Sequence, residues 1–281
     1  PRHRRDPQEC EFFPIVADFG TAQQEFHIGC GSIATPGTVK GLVSLQQKLG
    51  SLPLATLLEP AIEYARDGIP VNDLQAYIFD IVAPIYRATP DAESLYGSGA
   101  LQGNGKPFRQ PALADTLAWL AEDGDAPFYR GELGHRLLQL SKDGGGHLAA
   151  DDLENYRVTE RLPLHHRYRG YEVTTNPPPS SGGTLINFAL TALDNQPLAD
   201  FGFGSHEHLQ RLATIMAHTN VARQDGMVER SERHRELMKQ YRDSVRGHPV
   251  NNRGTTHISA IDRHGNSASM TLSNGEGSGH L

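Results

Sequence analysis

The sequence predicts an α+β fold, in which several helices accompany a smaller number of antiparallel strands. Apolar residues recur at helical spacing over residues 54–66 and 72–86, which indicates amphipathic helices. Apolar and polar residues alternate over residues 257–262 and again over 267–272, and a turn-forming stretch at 263–266 separates the two runs. This second pattern is typical of a β-hairpin, so both kinds of element are expected.

Glycine and proline bound the first predicted helices. A helix is expected to begin near Val39, after a Pro-Gly turn, and to stop at Gly50. The helix over residues 54–66 should end near a glycine, and the helix over residues 72–86 follows it.

A loop over residues 98–107 separates these helices from the next pair. Residues 111–123 fit a helix because proline stands near its first turn, and residues 134–141 fit another. The three glycines at 144–146 lack the spacing of a phosphate-binding loop, so we interpret them as a flexible turn. The sequence therefore gives no nucleotide site.

A strand over residues 171–175 must end there, because the three prolines that soon follow have no N–H to donate to a ladder. Residues 184–193 form an apolar, helix-like run. Before it stand two serines and two glycines: Ser180, Ser181, Gly182 and Gly183. These residues fit a helix N-cap, or alternatively the lining of a pocket whose free N–H groups bind a carboxylate.

Length and composition are those of an ordinary globular protein. The chain has 281 residues, of which 37% are hydrophobic and 21% are charged. A formal net charge of -7 argues against nucleic acid as a partner. No apolar run approaches the roughly 20 residues that span a bilayer, so no membrane span is expected.

Metal and disulfide sites are not predicted. The 14 histidines and two cysteines show none of the spacings typical of zinc sites. Cys10 and Cys30 could pair, but free thiols are the simpler interpretation.

Gly254 and Thr255 stand at the leading edge of the predicted hairpin. A threonine hydroxyl needs a base, and a cut before Thr255 would expose an α-amine with a pKa of about 7.7 to 8.0. The Thr255 hydroxyl could itself attack the Gly254 carbonyl to form an ester, which hydrolysis would then open. Taken alone, the same residues could simply be a turn before a strand.

Several segments of this chain, in this order, resemble the γ-glutamyltransferase family. They are residues 34–42, 58–62 with 65–68, 128–132, 151–153 with Tyr156, 168–171 and 177–183. Thr255-Thr256-His257 falls where that family keeps its nucleophile. The resemblance covers residues 29–281 and is weak before residue 29 and over residues 220–253.

The resemblance implies a four-layer αββα sandwich of the N-terminal-nucleophile (Ntn) hydrolase type, incomplete in this chain. Residues 1–254 would be a large-subunit-like region that lacks its N-terminal part. Residues 255–281 would begin a small-subunit-like region, and the two pieces of one precursor would stay associated after cleavage. The family's α-carboxylate-binding arginine and its oxyanion donors would lie outside the chain.

The implied enzyme activity is γ-glutamyl transfer or hydrolysis. Thr255 would attack the γ-carbonyl of glutathione or another γ-glutamyl compound, and water or an amino-acid or peptide amine would resolve the ester. No metal or organic cofactor is implied. The family resemblance favours a periplasmic or extracellular location and leaves the cytoplasm open.

Two residues are expected to support the nucleophile. The family has a hydroxyl residue that bonds the nucleophile and an asparagine that holds the glutamyl head, one residue apart. Here Ser273 and Asn274 are adjacent and match if one residue is deleted; a polar loop without substrate contact is the alternative. His257 should share a strand face with Thr255, where it could orient the site or simply pack in the interior.

Two other functions remain open. The motifs define the nucleophile better than the acyl group, so a related amide acylase, such as one acting on glutaryl-cephalosporin-like substrates, is an alternative. The second is an uncleaved, inactive homologue that binds a glutamyl ligand without turnover.

Overall fold

The computed structural model describes residues 11–20, 23–97, 101, 105, 107–194, 196–224 and 255–273. The chain divides into two compact units. One comprises residues 1–158 with 249–281, and the other comprises residues 159–248. Both units contain helices and strands. Within the described part of the chain, no helix combines the length and the apolar character needed to cross a bilayer.

The first unit opens with a hairpin that the sequence did not predict. Strands β1 (Phe13–Asp18) and β2 (Gln23–Ile28) pair antiparallel. Ala17, Phe26 and Ile28 are buried on this hairpin and pack with Ile85 into a small hydrophobic core.

Two helices follow as predicted. Helix α1 (Thr38–Leu49) ends where the Gly50 N–H donates to the Gln46 carbonyl, and helix α2 (Leu54–Asp67) ends at Gly68. Gly68 has a φ of 85°, a conformation that glycine adopts without steric cost.

The single helix predicted over residues 72–86 is wrong, because the chain forms two helices there. They are α3 (Asp73–Ile81) and α4 (Ala83–Tyr86), separated at Val82. A continuous helix would require an N–H at position 84 to bond the Asp80 carbonyl, and Pro84 has none.

Five further helices and a short strand pair complete this stretch of the first unit. The helix predicted over residues 111–123 has the predicted bounds, and the helix predicted over residues 134–141 extends two residues further at each end. The elements are β3 (Ile69–Pro70), α5 (Pro90–Tyr96), β4 (Pro107–Phe108), α6 (Pro111–Asp123), α7 (Ala126–Tyr129), α8 (Glu132–Asp143) and α9 (Ala150–Glu154).

The predicted glycine turn after α8 is confirmed, and its glycines have a packing role. A β-carbon at Gly146 would lie 2.5 Å from Ser141 Oγ and 2.7 Å from the Cys30 carbonyl, too close for any side chain. Cys30 is a free, buried thiol, as predicted, and burial raises its pKa. Cys10 lies outside the described residues.

The second unit pairs a hairpin with helices. Its described strands and α-helices are β5 (Leu164–Tyr168), β6 (Tyr171–Thr175), α10 (Ser181–Asp194) and α11 (His206–Gln224). Strand β6 has the predicted bounds, whereas α10 begins three residues before the predicted residue 184.

The chain returns to the first unit with the predicted C-terminal hairpin. Strands β7 (Thr255–Ile261) and β8 (Ser267–Ser273) are antiparallel. In the turn, the Asp262 carboxylate accepts hydrogen bonds from the backbone N–H groups of His264 at 2.8 Å and Asn266 at 2.9 Å, and from the Asn266 side chain at 2.8 Å. These bonds lower the pKa of the Asp262 carboxylate, and the bond from the Asn266 side chain contributes most.

Candidate active site

The β7–β8 hairpin has two chemically different faces. Because side chains alternate along a strand, every second residue shares a face. One face carries hydroxyl and imidazole groups, from His257, Ser259, Ser269 and Thr271. The other is mostly apolar and carries Ile258, Ala260, Ala268, Met270 and Leu272, together with Thr256.

Hydroxyl groups hold the His257 ring on the polar face. Its Nδ1 lies 2.8 Å from Thr271 Oγ1, and its Nε2 lies 2.9 Å from Ser259 Oγ and 3.1 Å from Ser269 Oγ. The side chain is exposed, so the alternative of buried packing for His257 is wrong. Most described residues on both faces of this two-stranded hairpin are exposed, including Ile258 on the apolar face.

The strand register places Thr255 opposite Ser273. Residues directly opposite in an antiparallel pair have β-carbons roughly 4.5–5.5 Å apart, which is within reach of a hydrogen bond between short side chains. The backbone positions 255 and 273 belong to the polar face, one residue pair beyond His257 and Thr271. Gly254 and Asn274 lie outside the described residues.

A groove of about 500 Å³ runs between the apolar face of β8 and helix α1. Leu42 and Leu45 line it from the helix, and Met270 and Leu272 line it from the strand. Ser273 also lines it, so the groove reaches the strand end where positions 255 and 273 meet. Residues from both faces of β8 therefore line the groove, with Thr271 and Ser273 from the polar face.

Tyr129 holds the N-terminus of α1 in place. Its hydroxyl donates to the Pro36 carbonyl at 2.8 Å and accepts from the Lys40 N–H at 3.1 Å, so it satisfies one of the helix's unpaired donors. The side chain is only 2% exposed, and this burial is the main reason why the pKa of Tyr129 is raised.

Charge and ring stacking extend this anchor. The Lys40 ammonium pairs with Asp125 and lies 4.6 Å from the centroid of the Tyr129 ring. Tyr156 stacks on the other side of the cluster, with its ring centroid 6.0 Å from that of Tyr129. A β-carbon at Gly37 would overlap the Tyr156 hydroxyl, so the glycine permits the close approach of the ring.

Sequence reasoning did not assign a role to these anchor residues. Their only signal was their position in family-like segments, since Gly37 and Lys40 lie in 34–42 and Tyr129 lies in 128–132. Tyr129 and Pro36 are 93 positions apart, so no local pattern connects them.

Ser180, Ser181, Gly182 and Gly183 lie together at the start of α10, in the second unit. The Ser180 N–H donates to the Pro177 carbonyl at 3.2 Å, which closes the turn before the helix. Gly183 is buried against the backbone of Asn176. In the described ranges of both units, no group of three or more His, Cys, Asp or Glu side chains is arranged to hold a metal ion.

The sequence is similar to a group of known enzymes. Glutathione hydrolase proenzyme of Escherichia coli (strain K12) is 30% identical over 271 residues, which cover 87% of this chain and 46% of that protein. Acylase ACY 1 proenzyme of Pseudomonas sp. (strain V22) is 34% identical over 212 residues, which cover 75% of this chain and 38% of that protein. The chain thus spans less than half the length of either relative.

The fold has a counterpart among solved structures. The γ-glutamyltranspeptidase from Pseudomonas nitroreducens complexed with L-DON superposes with a TM-score of 0.63 at 27% identity, over 80% of this chain and 75% of that one. The sequence profile described as gamma-glutamyltranspeptidase matches residues 9–281. With nearly the whole sequence matched, the chain belongs to the γ-glutamyltranspeptidase family.

Proposed function

We propose that this chain supplies the nucleophile for γ-glutamyl transfer or hydrolysis, with glutathione and other γ-glutamyl compounds as substrates. The observation that carries the proposal is the position of Thr255. It begins β7 opposite Ser273, in a chain that matches the γ-glutamyltranspeptidase family over residues 9–281.

The first chemical step would be self-cleavage. The Thr255 hydroxyl oxygen attacks the Gly254 carbonyl carbon, the peptide C–N bond breaks, and the hydroxyl proton passes to the departing amine. Water then hydrolyses the resulting ester, which leaves a Gly254 carboxylate and a Thr255 that bears both a free hydroxyl and a free α-amine. That amine becomes the base for catalysis, since its ordinary pKa of about 7.7 to 8.0 suits neutral pH.

The second step would be acyl transfer. The Thr255 amine takes the hydroxyl proton as the oxygen attacks the substrate γ-carbonyl, and the leaving amine receives a proton as the glutamyl ester forms. Water or an acceptor amine then attacks the ester and regenerates the hydroxyl. Ser273 would hydrogen-bond the nucleophile, and Asn274 would hold the amino-acid head of the substrate. Neither a metal nor an organic cofactor takes part in these steps.

The remaining predicted site residues have supporting roles in this proposal. His257 would orient the polar face through its three hydroxyl contacts. The start of α10, from Ser180 to Gly183, would offer N–H groups to a substrate carboxylate, because a helix N-terminus favours anions.

The proposal also includes the division of the chain and its layers. Residues 1–254 would form the large-subunit-like region and residues 255–281 would begin the small-subunit-like region. The groove that α1 shares with the apolar side of β8 supports one helix layer and one strand layer of a four-layer αββα sandwich.

Intact mass measurement on the full-length protein tests the nucleophile. The wild type should separate into two fragments that meet between Gly254 and Thr255, and the Thr255→Ala variant should stay whole. Thr256→Ala is the matched control, because it removes the same hydroxyl from the opposite face of β7. A single uncut chain in the wild type would instead favour an inactive homologue that binds a glutamyl ligand.

A related amide acylase is the second candidate, because the Pseudomonas acylase is 34% identical to this chain. Two anilide substrates separate the candidates: γ-glutamyl anilide carries an α-amine and glutaryl anilide lacks it. A γ-glutamyltransferase should have the higher kcat/KM for the glutamyl compound. Faster turnover of the glutaryl compound would assign the acylase activity.

A further inference from the structure

A second pocket lies in the first unit, away from the β7–β8 hairpin, where helices α3, α4 and α5 end. Its volume is about 360 Å³, which lies within the range of small-molecule sites. Aromatic rings form much of its wall, and two charged side chains, Asp80 and Arg87, complete it.

The rings form a continuous aromatic surface. The ring centroids of Tyr86 and Tyr96 are 4.4 Å apart, and those of Phe79 and Tyr86 are 5.6 Å apart. Burial raises the pKa of both tyrosines, so their phenols are neutral at physiological pH. The faces of neutral aromatic rings carry partial negative charge and attract cations.

Helix ends add to this negative potential. Asp80 lies in the last turn of α3, Tyr86 ends α4, and Tyr96 ends α5, and all three residues line the pocket. The final carbonyl groups of a helix lack intrahelical partners, and they give its C-terminus a partial negative charge. The ends of these three helices border one small volume, and α3, with nine residues, is the longest of them.

The two charged side chains of the pocket, Arg87 and Asp80, differ in whether they already form an ion pair. Arg87 already has a counter-ion, since its Nε lies 3.8 Å from the Glu93 carboxylate. Among the residues that the structure describes, none pairs with the Asp80 carboxylate. Asp80 is exposed, so its carboxylate is the charged group at the pocket that can accept a cationic ligand.

We propose that this pocket binds a small organic cation, namely a protonated amine attached to an apolar group. The ammonium would pair with the Asp80 carboxylate near the helix ends, and the apolar group would lie against the Tyr86 and Tyr96 rings. This binding is independent of Thr255 and of acyl transfer, so it stands whether or not the chain is cleaved.

Isothermal titration of the full-length protein with three probes tests the proposal. Benzylammonium carries the cation and the ring, benzyl alcohol keeps the ring without charge, and phenylacetate reverses the charge. Benzylammonium should bind at least about tenfold more tightly than the other two, because a charge-assisted hydrogen bond is worth that factor.

Two variants identify the residue responsible. Asp80→Asn should weaken benzylammonium binding by about tenfold or more, since it removes the charge and keeps the shape. Asp91→Asn makes the same charge change on α5 outside the pocket and should leave binding unchanged. Equal binding of benzyl alcohol, preferential binding of phenylacetate, or no binding of any probe would each overturn the proposal.

Discussion

At the scale of single residues, glycine is required where another part of the backbone occupies the position of a side chain. Gly183 is the clearest example, because a β-carbon there would overlap the carbonyl of Asn176, the residue directly after β6. The neighbouring Gly182 is exposed, and a β-carbon on it would have Ser180 Oγ as its nearest neighbour at 3.9 Å. Two adjacent glycines thus have opposite tolerance to substitution.

We predict that Gly183→Ala destabilises the protein and that Gly182→Ala does not. Overpacking a buried site costs about 1–3 kcal/mol, and the rigid backbone of Asn176 places this site at the upper end. Gly182→Ala should be neutral or stabilising by up to about 1 kcal/mol, since alanine favours the helix. Denaturant unfolding of both variants measures the difference, and equal midpoints would contradict the prediction.

The same scale shows how far sequence reasoning reached at the candidate site. Strand alternation placed His257 on one face with Thr255, but the sequence offered no way to choose between an exposed and a buried imidazole. The exposed position is possible because the hydroxyl groups of Ser259, Ser269 and Thr271 form hydrogen bonds with both nitrogens of the His257 ring. Small polar residues carry no signal of such pairing until the register is known.

At the scale of elements, α1 depends on a side chain that comes from another helix. Tyr129, at the end of α7, connects the Pro36 carbonyl to the Lys40 N–H. Lys40 and Asp125 then close the cluster with an ion pair whose side chains are 19% and 17% exposed. The helix that lines the groove is therefore held at its N-terminus by polar contacts.

We predict that Tyr129→Phe loosens this end of α1. The ring and its stacking on Tyr156 remain, but two hydrogen bonds disappear and the Lys40 N–H loses its partner. The loss should be about 1–3 kcal/mol, the cost of an unsatisfied buried polar group. Tyr64→Phe removes a hydroxyl from a side chain that is 66% exposed and should have no measurable effect on the unfolding midpoint.

Elements with clear end signals were predictable, and others were not. Glycines end α1 and α2, and Pro111 begins α6, so their bounds follow from local chemistry. The β1–β2 hairpin lacked a strand signal because Pro14 interrupts β1 and Val16 is exposed beside buried Ala17. The break between α3 and α4 depends on the backbone N–H that Pro84 lacks, and the spacing of apolar residues does not reveal it.

At the scale of the whole molecule, the first unit is assembled from both ends of the sequence. Residues 1–158 and 249–281 form it, and residues 159–248 form the other unit between them. The hairpin that begins at Thr255 therefore lines a groove with a helix that precedes it by more than a hundred residues, α1. Sequence order alone gives no measure of this proximity.

We predict that the two pieces of the cleaved protein remain associated. Cleavage before Thr255 would remove the covalent link, but the apolar side chains of Met270 and Leu272 would still line one groove with Leu42 and Leu45 of α1. The fragments should elute together from a sizing column in native buffer and separate in denaturant. Separation without denaturant would show that this shared groove does not suffice to hold them.

The Asp262 turn has a consequence for chemistry at the far end of the hairpin. A strand that slips by one residue transfers every side chain to the opposite face. With such a slip, position 255 would join the apolar side beside α1, and Ile258 would replace His257 among the hydroxyls. The hydrogen bonds from Asn266 to the Asp262 carboxylate fix the number of residues in the turn, and they therefore oppose such a slip. A surface turn thereby fixes the face of the hairpin to which position 255 belongs.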